Sequence, residues 1–269
     1  MEMWAAVPAK DEEKTILHVI QSCLGAGLNR VLVVINGSRD RTETLVRELG
    51  DTRVRALVFE EPLGVDVPRA ISALEALRGA ADSLLFCDGD LSGPISKCLA
   101  ELAGTMAWGY DLALTDCYPK GLPGTGLAAQ VLKARRLLNE GIGRADLGVA
   151  SMSHGPSCVS RKFLQAIPLQ ALAIPPLAQA LAVKKGLIVK IGSSFDHRLL
   201  GAREKDISHA ESIAECIMGD SVEALETFHN KSPTRIFEGA VRIGAASARR
   251  WDILERYLNE SLIRRPPPP

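Results

Sequence analysis

Short apolar runs alternate with helical patterns from the amino terminus to Asp90. Trp4 to Val7, Val31 to Ile35, Val54 to Phe59 and Leu84 to Cys87 are compact runs rich in Val, Leu and Ile. Unbroken apolar runs of this length, between turn residues, read as strands buried on both faces. Between them, Ile16, Leu17, Ile20, Cys23 and Leu24 recur at helical spacing and stop at Gly25 and Gly27. Leu45, Val46 and Leu49 stop at Gly50, and Ala70, Leu74 and Leu77 stop at Gly79. Strand–helix alternation of this kind predicts βαβ units. The fold class is therefore α/β, a three-layer α/β/α sandwich with a mostly parallel sheet.

Beyond Asp90 the pattern loosens. Residues 95–107 read as a helix, 111–115 as a strand, 131–140 as a helix and 187–191 as a strand. From Asp206 to Leu262 the chain is mostly helical, in two long stretches parted near Ser232-Pro233. We expect residues 1–202 to form one α/β domain, 203–263 a helical carboxy-terminal extension, and 264–269 (two arginines and four prolines) a disordered or polyproline tail. The extension carries Ile213, Ile217, Leu225, Phe228, Ile236, Phe237, Val241, Trp251, Leu254 and Leu258. That is more apolar surface than a small cap needs, so these residues either form a homodimer contact through this region or pack on the sheet.

Composition narrows the function without naming it. The chain has 269 residues, 46% hydrophobic and 24% charged, ordinary values for a globular protein. Its 32 basic and 32 acidic residues cancel, so no global field draws it to nucleic acid or anionic lipid, and an anionic ligand needs a local site. The scattered cysteines Cys23, Cys87, Cys98, Cys117, Cys158 and Cys216 form no Cys-x-x-Cys pair, and Cys23 and Cys87 fall on core positions. Met1 to Trp4 lacks the basic start of a signal peptide, and the run from Ala171 to Val183 is too short to span a bilayer. A cytoplasmic protein with no transmembrane segment is expected.

In a parallel sheet, ligands sit beyond the carboxyl ends of the strands. Those ends read Pro8-Ala9-Lys10-Asp11-Glu12-Glu13, Asn36-Gly37-Ser38-Arg39-Asp40-Arg41-Thr42, Pro62-Leu63-Gly64 and Asp88-Gly89-Asp90. Two carboxylates one residue apart, around a glycine that permits a tight turn, can share a divalent cation and a polar ligand. The plainer reading is that they end the strand and cap the next helix. Likewise Asn36-Gly37-Ser38 is either an ordinary turn or a base- and ribose-reading loop, and Lys10 with Glu12 either belongs to a solvated helix start or lines a cleft.

Together these motifs resemble the family-2 glycosyltransferases of the GT-A fold, whose strand ends read Pro-x-Tyr-Asn-Glu, Asp-Gly-Ser-x-Asp-x-Thr and Asp-x-Asp. The rest of the chain more distantly resembles the retaining glucosyl- and mannosyl-3-phosphoglycerate synthases, through Tyr118-Pro119-Lys120, His154-Gly155-Pro156-Ser157 and Phe195-Asp196-His197-Arg198. The resemblance implies a metal-dependent glycosyltransferase. It would move a sugar from a UDP- or GDP-linked donor to a small phosphorylated or carboxylated acceptor, with Mg2+ or Mn2+ as cofactor. Pro8, Ala9, Lys10 and Glu12 would line the nucleotide, Asn36, Gly37 and Ser38 the base, and Gly64 the ribose. Asp88 would hold ribose or sugar hydroxyls, and Asp88 and Asp90 are the catalytic pair. Asp90 and His197 would ligate the metal, with Asp196 orienting the His197 ring. Arg69 is read either as a phosphate partner or as a solvated helix residue, and His197 either as a ligand or as a surface histidine.

Three departures from the pattern matter. Lys10 and Asp11 replace Tyr-Asn, and Asn36 replaces Asp. No Asp or Glu lies between Phe163 and Val183, the region that supplies the base in inverting relatives. Retention is therefore favoured, while a fold that binds a nucleotide-sugar without turning it over stays open. A sugar-1-phosphate nucleotidyltransferase is disfavoured, because Pro8 to Glu13 contains none of the glycines its loop requires.

Overall fold

The computed structural model describes residues 1–202 and 206–263. The expectations for the 264–269 tail and for the boundary at 203 fall outside these residues. A seven-stranded sheet forms the centre, in the order β3-β2-β1-β4-β6-β5-β7. The strands are β1 (Met3–Ala9), β2 (Arg30–Asn36), β3 (Val54–Phe59), β4 (Ser83–Phe86), β5 (Leu112–Asp116), β6 (Ser157–Ser160) and β7 (Val189–Ser194). The helices are α1 (Ile16–Gly25), α2 (Thr42–Glu48), α3 (Val67–Arg78), α4 (Ser96–Gly104), α5 (Gly126–Gly141), α6 (Arg161–Ala166), α7 (Pro175–Lys184), α8 (Ile207–Phe228) and α9 (Trp251–Ile263).

Successive side chains of a strand face opposite ways, and both faces here are apolar. Trp4 and Ala6 of β1, with Leu32 and Val34 of β2, pack under Ala70 and Ile71 of α3, Phe163 of α6, Ala178 of α7 and Leu254 of α9. Ala5, Val7, Val31 and Val33 pack on the other face under Ile16, Ile20 and Cys23 of α1, Val46 of α2 and Leu99 of α4. This double burial is what the unbroken apolar runs predict. All six cysteines are buried and free. No helix among the described residues is long and apolar enough to cross a membrane.

Three local expectations need correction. The sheet has a strand, β6, that the sequence reading takes as part of a turn, and it runs antiparallel to both β4 and β5. It is short and begins directly after Gly155-Pro156, so turn residues mask it. The strands of the second half also end later than expected, at Asp116 and Ser194. Finally, the second carboxy-terminal helix is only Trp251–Ile263. Ahead of it lie a small hairpin, β8 (Ile236–Phe237) with β9 (Ala240–Val241), and a 3-10 turn at Gly244–Ala248.

The extension lies against the sheet's helical layer. Leu225 and Phe228 of α8 pack with Leu138 and Ile142 of α5 and Ala180 of α7. Phe237, Leu254 and Leu258 are buried, whereas Ile236, Val241 and Trp251 stay exposed.

Candidate active site

Because β1 to β4 are mutually parallel, all four strand ends fall on one edge, and their loops are bonded into a single frame. Ser38 Oγ accepts from the Asp11 amide at 3.1 Å, and the Thr42 hydroxyl accepts from the Glu12 amide at 2.8 Å. Asp40 accepts from the Glu13 amide at 2.9 Å and from both the amide and hydroxyl of Thr42. Burial works against charge on Asp40, yet these donors outweigh it and hold its carboxyl below the usual range. Asp11 sits at φ 57°, and its carboxylate accepts from the Arg39 amide at 2.7 Å. The polar residues of the second motif thus fix the loop of the first. Glu12 is buried at this junction and Lys10 is exposed, so Glu12 does not belong to a solvated helix start.

Asn36 ties in the third loop, accepting from the Leu63 amide at 2.6 Å and donating to the Gly64 carbonyl at 3.4 Å. Gly37 lies against Pro62, where a Cβ would meet its ring nitrogen at 2.8 Å. The fourth loop is held just as closely. The Gly89 amide donates to Pro8 O at 3.1 Å, and the Thr15 hydroxyl donates to Gly89 O at 2.7 Å. Ala9 lies beside Gly89, its Cβ 3.2 Å from where a Gly89 Cβ would stand.

Arg69 is not solvated. Its side chain is 5% exposed and lies over the Phe86 ring, with Nη2 on Asp88 Oδ1 at 3.1 Å and Nε on Asp66 Oδ1 at 3.0 Å. Its Nη1 is buried with no protein partner. Gly64 also differs from expectation. At φ +85° its Cβ position lies 2.3 Å from Ala248 O, so what it admits closely is the chain's own carboxy-terminal backbone.

The antiparallel β6 brings a second group of residues to the same edge. It starts there, at Ser157, so His154 stands beside the ends of β5 and β7. Tyr118 rings with both histidines, 5.7 Å from His154 and 4.8 Å from His197, and the two imidazoles are 6.3 Å apart. The Phe195 amide bonds Asp116 O, and the His197 amide bonds Cys117 O. Burial, with Arg135 and His197 nearby, pushes the His154 imidazole well below its ordinary value, so it is neutral, and its Nε2 is enclosed without a partner. Arg135 itself is buried, bonded to Ser153 Oγ and O at 3.3 Å, and burial lowers it to about 10.

His197 is exposed, on a loop locked to the one that follows Asp90. The Gly93 amide bonds Leu200 O, Ser92 Oγ bonds Gly201 O at 2.8 Å, and Leu91 bridges Ala202. Asp196 does not orient the imidazole as expected. Its carboxylate is taken by Arg198, from the amide at 3.1 Å, Nε at 3.0 Å and Nη2 at 2.6 Å, which holds it strongly ionised. Lys120 stands 3.7 Å from the same carboxylate. Cys117, Tyr118, Lys120, Ala128, His197 and Arg198 border a cleft of about 410 Å3. Of the expected site residues, His197 and its neighbour Asp196 line it.

The sequence reading missed Thr15 and Thr42 as loop ties, Asp66 and Arg249 as partners around Arg69, and Arg135 behind Tyr118. Asp40 and Thr42 were visible within the second motif. Asp66 and Arg249 gave no signal, since their contacts join segments far apart in the chain.

The chain matches the glycosyl transferase family 2 model over residues 4–165. No curated protein matches it. Among solved structures it is similar to glucosyl-3-phosphoglycerate synthase from Mycobacterium tuberculosis. The complex of that enzyme with Mn2+, UDP and phosphoglyceric acid aligns at TM-score 0.63 and 19% identity, covering 83% of this chain and 78% of that one. Its Mn2+, UDP-glucose and phosphoglyceric acid complex aligns at 0.63 and 20%, covering 83% and 79%. Its complex with Mg2+ and UDP aligns at 0.64 and 18%, covering 86% and 80%. At such identity these likenesses establish the fold, GT-A, and the family model spans more than half of the chain. The chain belongs to glycosyl transferase family 2 and is a nucleotide-sugar glycosyltransferase.

Proposed function

We propose that this enzyme moves a glycosyl group from a UDP- or GDP-linked sugar to a small acceptor bearing a phosphate or carboxylate, with retention of anomeric configuration. The observation that carries this reading is convergence. The motifs of β1, β2 and β4, and the Tyr118, His154 and His197 rings, gather on one sheet edge beside a cleft bordered by Lys120 and Arg198. The similar solved structures hold UDP or UDP-glucose with Mn2+, and phosphoglyceric acid.

In this reading Pro8, Ala9, Lys10 and Glu12 line the nucleotide. Asn36 and Ser38 act chiefly through backbone, because their polar side chains are engaged in joining loops, and Gly37 and Gly64 offer backbone alone. Asp88 faces the donor while Arg69 fixes its rotamer, and the unpartnered Arg69 Nη1 fits a donor oxygen.

The groups present also fit a divalent cation shared with the diphosphate. No three His, Cys, Asp or Glu side chains among the described residues form a metal cluster. Asp90 and His197, one carboxylate and one imidazole on loops bonded together, suit Mg2+ or Mn2+ that takes its remaining ligands from phosphate and water. Bound there, the cation supplies Lewis-acid charge against the negative charge growing on the leaving diphosphate.

Lys120 and Arg198, two cations against the single carboxylate of Asp196, favour an anionic acceptor in the cleft. The region that holds the base in inverting relatives is folded into the core here. Gln179 accepts from the Met152 amide and donates to Asn139, and Leu172 and Ala173 are fully buried. With no carboxylate from that side, the acceptor hydroxyl attacks on the face the leaving group departs from. Its proton passes to an oxygen of the leaving phosphate as the sugar–phosphate bond breaks and the new glycosidic bond forms.

Thermal-shift screening against UDP-, GDP- and ADP-sugars with Mn2+ tests the donor class, because a ligand that binds only the folded state raises Tm by mass action. One donor series is expected to shift the transition. A flat response to every nucleotide overturns the reading. Product NMR with phosphoglyceric acid as acceptor then tests acceptor class and retention. Pairing of two copies through Ile236, Val241 and Trp251 is part of the proposal, and a monomer mass by light scattering at micromolar concentration removes it.

A further inference from the structure

A run of buried charges of alternating sign leads from Asp88 to α8. Arg69 bonds Asp88 on one side and Asp66 on the other, at 3.1 and 3.0 Å. Asp66 Oδ2 stands 3.7 Å from Arg249 Nη2. Arg249 grips Asp220 through two bonds, Nη1 on Oδ1 at 2.9 Å and Nη2 on Oδ2 at 2.5 Å. Asp220 is also held by Arg235 at 2.8 Å. The Arg249 and Asp220 side chains are 1% and 2% exposed, whereas Asp88, at the end of the run, is 41% exposed.

Two features set this apart from ordinary packing. Asp66 stands immediately before α3 in a left-handed conformation, φ 61°, yet its side chain makes no cap bond to the helix. A carboxylate in that place ordinarily caps the exposed amides. Here it turns to the two arginines instead, and backbone outliers of this kind concentrate where geometry serves a site. Moreover, buried ion pairs add little to stability compared with apolar residues of similar volume, although losing one partner is expensive. What such a network does supply is a fixed arrangement.

Arg249 also holds the loop that carries Asp66. Its Nε donates to Val65 O at 3.3 Å, and the neighbouring Arg250 amide donates to Leu63 O at 2.8 Å.

We propose that Arg249 is a positioning residue for the donor site. Anchored on Asp220, it fixes the Asp66–Arg69 pair and through it the rotamer of Asp88. The carboxy-terminal helices thereby become part of the nucleotide-sugar site without touching the ligand. This rests on the assignment of Asp88 as a donor-binding group.

The test is a double-mutant cycle on donor affinity. Wild type, Arg249→Lys, Asp88→Asn and the double variant are titrated calorimetrically with UDP and with GDP, each with Mn2+. Lysine keeps the charge but loses the two-pronged grip. We expect Arg249→Lys to weaken binding about tenfold in the wild-type background and less than about twofold in the Asp88→Asn background, a coupling within the range seen for contacting networks. Equal losses in both backgrounds show that Arg249 supports the fold only, and overturn the inference. So does wild-type affinity in Arg249→Lys. Should that variant fail to fold, Asp66→Asn takes its place in the cycle with the same expectation. If Asp88→Asn alone leaves affinity unchanged, or wild type binds neither nucleotide, the donor assignment itself falls, an outcome separate from the other two.

Discussion

Replacing Gly64 by alanine would place two separable demands on one residue. The first is conformational. Gly64 sits at φ +85°, a region that costs an L-residue about 1–2 kcal/mol. The second is steric. The added Cβ would stand 2.3 Å from Ala248 O and 2.7 Å from Arg249 Cα, both backbone atoms, and overpacking of this kind costs about 1–3 kcal/mol. The sum is about 2–5 kcal/mol, a large part of the roughly 5–15 kcal/mol typical of a folded domain. Two other glycines resolve it. Gly27 has φ +87° with nothing within 4 Å, so Gly27→Ala bears only the conformational share. Gly93 has no left-handed φ but a Cβ there would stand 1.7 Å from Leu199 O, so Gly93→Ala bears only the contact. Urea denaturation of the three variants is expected to show Gly64→Ala more destabilised than Gly27→Ala, and Gly93→Ala destabilised by contact alone. Nucleotide affinity should fall in Gly64→Ala and not in Gly27→Ala, since the loop around Gly64 carries Asp66. Equal losses for Gly64→Ala and Gly27→Ala, within about 0.5 kcal/mol, would refute the close clamp of residues 248–249 on that loop.

Three further outcomes are expected. Asp90→Ala should abolish the Mn2+-dependent part of UDP or GDP binding with an unchanged circular dichroism spectrum; an intact difference between Mn2+ and EDTA titrations removes Asp90 as a ligand. His197→Ala should weaken metal-dependent binding about tenfold or more, while His154→Ala, its imidazole enclosed and neutral, should lower thermal stability and keep the Mn2+ response; the reverse pattern means that the other histidine is the ligand. Burial raises the Asp66 carboxyl to about 6 even though Arg69 and Arg249 face it, with Asp220 and Asp88 adding to the rise. A carboxyl whose folded pKa exceeds its unfolded one binds its proton more tightly when folded, so stability should decline as pH rises from about 4 to about 6. Asp66→Asn should flatten that part of a denaturation–pH profile.

The first half of the fold was legible because its signals are local. Apolar runs on both faces of β1, β2 and β4, and helices ending at glycines, follow from nearest-neighbour chemistry alone. The strand-end motifs were legible for the same reason, since the parallel order of β1 to β4 places their carboxyl ends on one edge. What stayed hidden depends on segments far apart in the chain. β6 is short, sits behind Gly155-Pro156 and is defined by its partners β4 and β5. The hairpin at 236–241 breaks a stretch whose composition is helical. Asp196 beside His197 suggested a carboxylate–imidazole pair, but the fork of Arg198, two residues on, matches that carboxylate better. Arg69 could be read as a solvated helix residue as well as a phosphate partner because the carboxylates that bury it, Asp66 and Asp88, come from a loop and from the end of another strand.

The motif residues themselves carry a physical lesson about how such a site is made rigid. Ser38, Asp40 and Thr42 bond the amides of Asp11, Glu12 and Glu13, and Asn36 bonds Leu63 and Gly64. Loops at a sheet edge lack the ladder that orders strands, so their amides must find acceptors elsewhere. Side chains of one loop provide them for the next, and each added bond removes freedom that ligand binding would otherwise have to remove. The same logic applies on the far side, where loop 199–202 takes the amides of Ser92 and Gly93. In the proposed function, specific chemistry falls to groups that these ties do not consume, among them Asp88, held by one oxygen, the enclosed Nη1 of Arg69, and the exposed imidazole of His197. A substitution at a tie should therefore act on affinity through loop order, raising KM more than it lowers kcat, while a substitution at one of those three groups should reach the chemical step.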